Sequence, residues 1–220
     1  LLGQETWYQE SMNLDNEYRK FSDGNFGLND VSMGTPQTWK SGKSRVGLVS
    51  LFGRLSYNYS DRYLFTGTLR ADGSSKFARG NRWGYFPSVS AGWTLTEEKF
   101  MKSTASWLDF LKLRLSWGQV GNANVNCFQY LAPVTTSKTN YNFGATGGTD
   151  AWVMGAYTSR LANEKVKWET SEQYNLGIDA RFLRQRLSLT FDTYIKNTKD
   201  WLVQAPVLAT AGTQGPVING

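Results

Sequence analysis

The chain of 220 residues carries 24 lysines and arginines against 18 aspartates and glutamates, a net charge of +6, with no histidine and a mean hydropathy of −0.45. The absence of histidine removes Ser-His-Asp and Cys-His catalysis and every histidine-bearing zinc site, and the lone Cys127 cannot form an internal disulfide. No apolar run approaches the roughly 18 residues of a membrane helix, which excludes helical membrane proteins only, and so modest a charge gives no basis for nucleic-acid binding.

In chain order, Leu1 begins without a basic region or apolar segment, so the sequence reads as mature, truncated or a fragment. An ill-defined first strand is expected to end near Asn13, with a long polar link from Asn13 to Ser44. A strand is expected from Lys43 to Tyr59, where Val49, Leu51, Leu55, Tyr57 and Tyr59 oppose Ser50, Arg54, Ser56 and Asn58. Side chains of a strand point to opposite faces in turn, so this alternation gives one apolar and one polar face, with Phe52 and Gly53 breaking the rule. Ser60-Asp61-Arg62 makes a tight link to a looser strand from Tyr63 to Arg70. A longer link runs from Ala71 to Trp83. Within it Asp72-Gly73-Ser74-Ser75 lacks the lysine, following helix or ligand spacing of a phosphate or calcium loop and reads as a turn.

A further strand is expected from Tyr85 to Leu95. In the link from Glu97 to Phe110, Thr96 is expected to cap a single helical turn whose amino end Glu97 and Glu98 complement. Leu111, Leu113, Leu115 and Trp117 then oppose Lys112, Arg114 and Ser116. The longest link extends from Val120 to Lys167. After it Tyr174, Leu176, Ile178, Ala180 and Phe182 oppose Asn175, Gly177, Asp179 and Arg181. Leu183-Arg184-Gln185 is the second tight link. From Arg186 to Asp200 the pattern is clearest, with Leu187, Leu189, Phe191, Thr193 and Ile195 on one parity and Ser188, Thr190, Asp192, Tyr194 and Lys196 on the other.

A soluble β-sandwich would also alternate, so the connections decide. Short and long links take turns, as in outer-membrane barrels with short periplasmic turns and long outside loops, whereas links above about 15 residues are uncommon in compact soluble domains. Aromatics make up 15% of the residues, and Tyr57, Tyr59, Tyr63, Trp93, Trp117, Tyr174 and Trp201 cluster at strand ends, where a membrane interface selects amphipathic rings. The alternative places these rings in a soluble core. The carboxylate pairs Glu169 with Glu172 and Asp179 with Asp192 read as solvated or lumen-facing charges rather than catalytic pairs, since nothing in the sequence marks a raised pKa.

One set of motifs is more specific than these physical patterns. Leu51-Phe52-Gly53-Arg54-Leu55-Ser56-Tyr57-Asn58-Tyr59, Asp61-Arg62-Tyr63, Arg70-Ala71-Asp72-Gly73-Ser74-Ser75-Lys76-Phe77 and Trp83-Gly84-Tyr85-Phe86-Pro87-Ser88-Val89-Ser90-Ala91-Gly92-Trp93 resemble the barrel of SusC/RagA-type TonB-dependent transporters. The likeness continues in Leu111-Lys112-Leu113-Arg114-Leu115-Ser116-Trp117-Gly118, Gly121-Asn122, Lys167-Trp168-Glu169-Thr170, Glu172-Gln173-Tyr174-Asn175, Tyr194-Ile195-Lys196 and Thr198-Lys199-Asp200. These motifs fall in family order.

The resemblance implies an all-β protein, an antiparallel transmembrane β-barrel in the outer membrane of a Gram-negative bacterium. It also implies an N-terminal plug, energy from the TonB complex, and a SusD-type surface lipoprotein that helps capture oligosaccharides or peptides, with no enzymatic role and no cofactor. Residues 1–220 would hold about seven strands of a barrel of 22-stranded transporter size, with plug and remaining strands outside this chain. Arg54, Asn58, Lys112, Arg114, Asp179, Arg181 and Asp192 would face the lumen, and the opposite parity would face lipid. Substrate contact is expected in the longest link, where Tyr130, Tyr141, Phe143, Trp152 and Tyr157 could stack on the C–H faces of sugars beside Asp150 and Arg160. The same aromatics could instead pack the loop onto its neighbours or onto the lipoprotein. A passive porin and a soluble carbohydrate-binding sandwich remain the other two readings.

Overall fold

The alternating segments form long strands, and the two tight links are left-handed turns. The computed structural model describes residues 1–21, 34–136, 140–146 and 149–220, with the backbone alone at 140, 142–146 and 149–152. In chain order come β1 (Leu2–Arg19), β2 (Thr35–Tyr59), β3 (Tyr63–Ser74), β4 (Trp83–Thr94) and β5 (Leu108–Asn122). The next connection holds β6 (Val134–Thr135), β7 (Asn140–Thr146), β8 (Thr149–Met154) and β9 (Tyr157–Thr158). β10 (Glu169–Phe182), β11 (Leu187–Lys199), β12 (Leu202–Gln204) and β13 (Val217–Asn219) follow.

The main sheet has seven strands in the order β1-β2-β3-β4-β5-β10-β11. Every pairing from β2 to β11 is antiparallel. Among the described residues the other sheets are two-stranded, so no second layer packs against this one as a sandwich would require.

Ser60 and Asp61 have φ of 53° and 54°, and Arg62 N donates to Tyr59 O at 3.0 Å. Such turns match the twist of the strands they join. Asn58 supports this one, its Oδ1 accepting from Asp61 N at 3.0 Å. At the second turn Leu183, Arg184 and Gln185 all have positive φ, 56°, 58° and 63°. Leu183 N donates to Trp107 O at 3.1 Å and Gln185 N to Asp109 Oδ2 at 2.9 Å, which holds the strained backbone in place.

Three expectations need correction. The link from Asn13 to Ser44 is largely ladder, because β1 continues to Arg19 and β2 begins at Thr35; both faces there are polar, so no alternation marks them. The remainder, 22–33, lies outside the described residues. Thr96 does not cap a helical turn: it sits inside a 3₁₀ segment, Leu95–Glu97, and its Oγ1 accepts from Leu111 N at 3.4 Å. A second 3₁₀ segment, Lys99–Thr104, fills the rest of that link. Finally, Asp72, Gly73 and Ser74 are strand rather than turn, the end of β3.

The chain divides into two compact units, one of Leu1–Thr6 with Leu48–Gly220 and one of Trp7–Gly47. The second is a ribbon of the outer parts of β1 and β2, tied by Glu10 to Lys43 and Arg45 and by an edge-on Tyr18–Trp39 contact at 6.1 Å. In the first, the buried apolar cluster lies among the connections at the end opposite the tight turns. Phe77, Phe86, Val125, Val166 and Trp168 meet there, with Trp168 5.4 Å from Phe77 and 5.5 Å from Phe86 between ring centres. Trp168 Nε1 donates to Arg82 O at 2.8 Å, so the one polar atom of that ring is satisfied.

Candidate functional site

Paired residues of an antiparallel ladder share a face, so the register carries each side chain's parity across the sheet. Asn58, Leu64, Gly92, Arg114, Gly177 and Asp192 are successive partners across six strands. Arg54, Thr68, Ser88, Gly118, Gln173 and Lys196 form a parallel row. Lys112 faces Asp179, and Arg181 faces Phe110 and Ser188. All six charged residues assigned from the sequence, Arg54, Lys112, Arg114, Asp179, Arg181 and Asp192, therefore stand on one face. Phe52, Leu64, Phe86, Phe110 and Tyr194 share it.

Two networks organise that face. Arg114 reaches Asp179 with Nε–Oδ2 2.7 Å and Nη2–Oδ1 3.1 Å, and reaches Asp192 with Nη2–Oδ1 2.9 Å. One guanidinium thus joins β5, β10 and β11. Fork geometry of this kind suits arginine rather than lysine. The pair Asp179 and Asp192 is consumed in holding Arg114, which leaves no acid–base pair. Further along, Arg70 Nε lies 2.8 and 2.9 Å from the two Asp72 oxygens, and Nη2 donates to Ser50 Oγ at 3.0 Å and Glu5 Oε2 at 3.3 Å. Asp72 is buried in this contact, which is why it belongs to a strand.

The opposite face is apolar and open. Leu55 is 70% exposed, Leu189 and Phe191 55% each, and Tyr85 65%. Soluble monomers rarely expose so continuous an apolar field, which marks a surface covered by a membrane or a partner. Its borders repeat one device. At the tight-turn end Tyr59, Tyr63 and Trp93 stack in succession with centroids 6.4 Å apart, Tyr63 Oη donates to Glu98 Oε1 at 2.6 Å and Trp93 Nε1 to the same oxygen at 3.1 Å. Arg62 lies 3.6 Å from Glu98. These donors, Tyr63 foremost, hold the Glu98 carboxyl below its ordinary pKa. Toward the long connections Trp117 Nε1 and Tyr174 Oη donate to Glu172 Oε1 at 2.9 and 3.1 Å, and Lys199 Nζ to Glu172 Oε2 at 2.7 Å. Each cluster is one carboxylate, one Tyr, one Trp and one cation.

Glu98 and Glu172 were not singled out by the sequence as anchors. The sequence pattern reads Glu172, with Glu169, as a solvated or lumen-facing charge, and the structure corrects this: it is buried, on the apolar parity. Glu169 instead receives Asn122 Nδ2 at 3.0 Å and Leu202 N at 3.1 Å. A carboxylate on the apolar parity, two residues before Tyr174, is the signal the sequence offers.

The long connection folds back on itself, β6 pairing β9 and β7 pairing β8. Tyr130 is half-buried and packs against Phe128 at 6.3 Å. Tyr141 and Tyr157 are exposed. Trp152 and Asp150 lie on β8, and their side chains, like that of Phe143, fall outside the described residues. Arg160 points back into the connection, Nη2 donating to Phe128 O at 3.2 Å and Leu131 O at 3.4 Å. The structure thus places Tyr141 on the β7–β8 ribbon and Tyr157 on the β6–β9 ribbon, with Arg160 engaged just beyond β9. Among the described residues no group of three or more Cys, Asp or Glu is arranged to hold a metal.

A single antiparallel sheet with one polar and one uncovered apolar face, bordered by anchored aromatics, defines the wall of a membrane β-barrel. Residues 2–219 match the family described as TonB dependent receptor-like, beta-barrel, and the chain belongs to that family of Gram-negative outer-membrane proteins. The TonB-dependent receptor SusC of Bacteroides thetaiotaomicron is 42% identical over 169 residues, 74% of this chain and 16% of the relative. A TonB-dependent receptor of Formosa agariphila is 36% identical over 172 residues, 78% of this chain and 16% of that protein. Among solved structures the RagAB peptide transporter superposes with a TM-score of 0.81 at 25% identity, over 99% of this chain and 23% of the neighbour. The chain thus spans 16% of the length of these two curated relatives and is of the SusC/RagA type.

Proposed function

We propose that this chain is part of the barrel wall of a TonB-energised importer that takes up oligosaccharides delivered by a SusD-type surface lipoprotein. The observation that carries the reading is the 42% identity to SusC, spread over 169 residues. In it residues 1–220 belong to one barrel domain, whose plug and remaining strands lie elsewhere in the protein. Arg54, Lys112, Arg114, Asp179, Arg181 and Asp192 face the lumen, where charges stay hydrated or paired. The long connection, with Tyr141, Asp150 and Trp152 on the β7–β8 ribbon, Tyr157 on β9, and Tyr130 and Arg160 outside these strands, contacts solute or lipoprotein outside.

Peptide uptake is the second reading, favoured by the fold shared with RagAB, which is described as a peptide transporter. The test removes residues 140–157 from the full-length protein, because an outside loop carries little of the hydrogen-bonded wall. Heat-modifiable migration should be unchanged, while growth on oligosaccharides, or capture of the lipoprotein, should fall. Unchanged growth and capture would make the ribbon a spacer. Impaired growth on oligopeptides alone would favour the second reading.

A further inference from the structure

The polar face carries more positive charge than it neutralises. Of its carboxylates on β2 to β11, Asp72 is bound by Arg70, Asp179 and Asp192 are bound by Arg114, and Glu169 accepts from Asn122 and Leu202. Arg54, Lys112, Arg181 and Lys196 stand on the same face with no ion-pair partner among the described residues. Lys112 and Arg181 line one hollow of about 440 Å³ together with Phe110, Ser188 and Thr190. Asp179 lines it too, but the Arg114 fork holds both its oxygens, at 2.7 and 3.1 Å. Arg181 Cζ lies 5.1 Å from the Phe110 ring centre, a contact that steadies the guanidinium and spends none of its N–H donors.

We propose that this hollow binds the acidic group, carboxylate or sulfate, of an anionic oligosaccharide passing along the lumen wall, which makes the imported solute an acidic rather than a neutral sugar. The inference rests on the oligosaccharide reading above and adds the charge of the solute. A solute that enters the hollow displaces water from Lys112 and Arg181, and cations stripped of water are costly unless a negative group takes its place. A neutral sugar cannot make that replacement, whereas an acidic one makes it with charge-assisted bonds from both cations. Ser188 and Thr190, each donor and acceptor, match the hydroxyls beside the acidic group. The wall beyond continues in kind. Ser56, Thr66, Ser90 and Ser116 are successive register partners across β2 to β5, and Arg54 stands in the adjoining row.

The experiment uses the full-length protein in mild detergent, titrated calorimetrically with tetragalacturonate, maltotetraose and tetraglutamate, each variant first checked for assembly by heat-modifiable migration. Tetragalacturonate should bind more tightly than maltotetraose and should lose that advantage as salt rises. Lys112→Gln and Arg181→Gln should each weaken tetragalacturonate roughly fivefold, the scale of one charge pair at a half-exposed site, and leave maltotetraose unchanged. Lys102→Gln, which removes the same charge from the link between β4 and β5, should change neither. Binding of maltotetraose alone, or of none of the three, overturns the inference and leaves the oligosaccharide reading standing. Binding of tetraglutamate alone overturns both. Equal tetragalacturonate affinity in wild type and both lumen variants also overturns the inference, and greater trypsin sensitivity of those variants would then assign the cations to another part of the polypeptide.

Discussion

Arg114 on β5 and Asp192 on β11 meet although β10 runs between their strands, Nη2 lying 2.9 Å from Oδ1. The residue between them in the register is Gly177. A Cβ there would sit 2.5 Å from Asp192 Oδ1 and 2.8 Å from Arg114 Cζ, so the bridge exists because that position has no side chain.

Gly177→Ala should therefore break the Arg114–Asp192 contact at a cost of up to about 1 kcal/mol of barrel stability, because its Cβ meets the ends of flexible, partly exposed side chains that can swing aside. Asp192→Asn should cost less, since Arg114 keeps Asp179 and partly exposed ion pairs contribute little. Urea titration of the refolded full-length protein measures both, and an alanine variant as stable as wild type would refute the packing argument.

The two faces of β11 should respond differently to charge. Arginine at Leu189 or Phe191 should cost on the order of 2–4 kcal/mol, and arginine at Thr190 much less. The same refolding titration decides, and equal losses at the three positions would refute the face assignment.

Acid should loosen the tight-turn border. Glu98 has its pKa lowered by Tyr63, Trp93 and Arg62, so its contribution is complete above the ordinary glutamate pKa of about 4.3 and disappears as pH falls through the lower folded value. Thermal unfolding followed from pH 5 downward should show wild type losing an advantage over Glu98→Gln. Parallel curves for the two proteins would show that the carboxylate is idle.

Three consecutive left-handed residues without glycine or asparagine carry strain. Arg184→Asn should raise stability by about 0.5–1 kcal/mol, because asparagine tolerates that region better. A lower unfolding midpoint for the variant would mean that the arginine side chain supplies something the backbone does not reveal.

The strands with alternating parity were legible from the chain, and so was the separation of Leu189 from Thr190 or Arg114 from Leu115, because period-2 alternation is a local property. What stayed hidden depends on register or on both faces being alike. The extension of β1 to Arg19 has polar residues on either side and so gives no alternation. The anchoring role of Glu172 requires knowing that Trp117 stands opposite Tyr174, which only the pairing of β5 with β10 supplies. The reach of Arg114 to Asp192 likewise needs Gly177 placed between them. In the candidate loop, aromatic content was readable, but the inward turn of Arg160 to two backbone carbonyls was not.

The buried apolar cluster among the connections divides each of them into a root and a tip. Phe77 comes from the connection between β3 and β4, and Val125, Val166 and Trp168 from the two ends of the one between β5 and β10; they bury one another, so these roots fasten neighbouring strands together much as a core would. The β6–β9 and β7–β8 ribbons lie beyond them. A barrel built this way can exchange its outer surface segment by segment, from residue 131 to 158, without touching the residues that lock the wall. Diversity is cheap at the tips and forbidden at the roots.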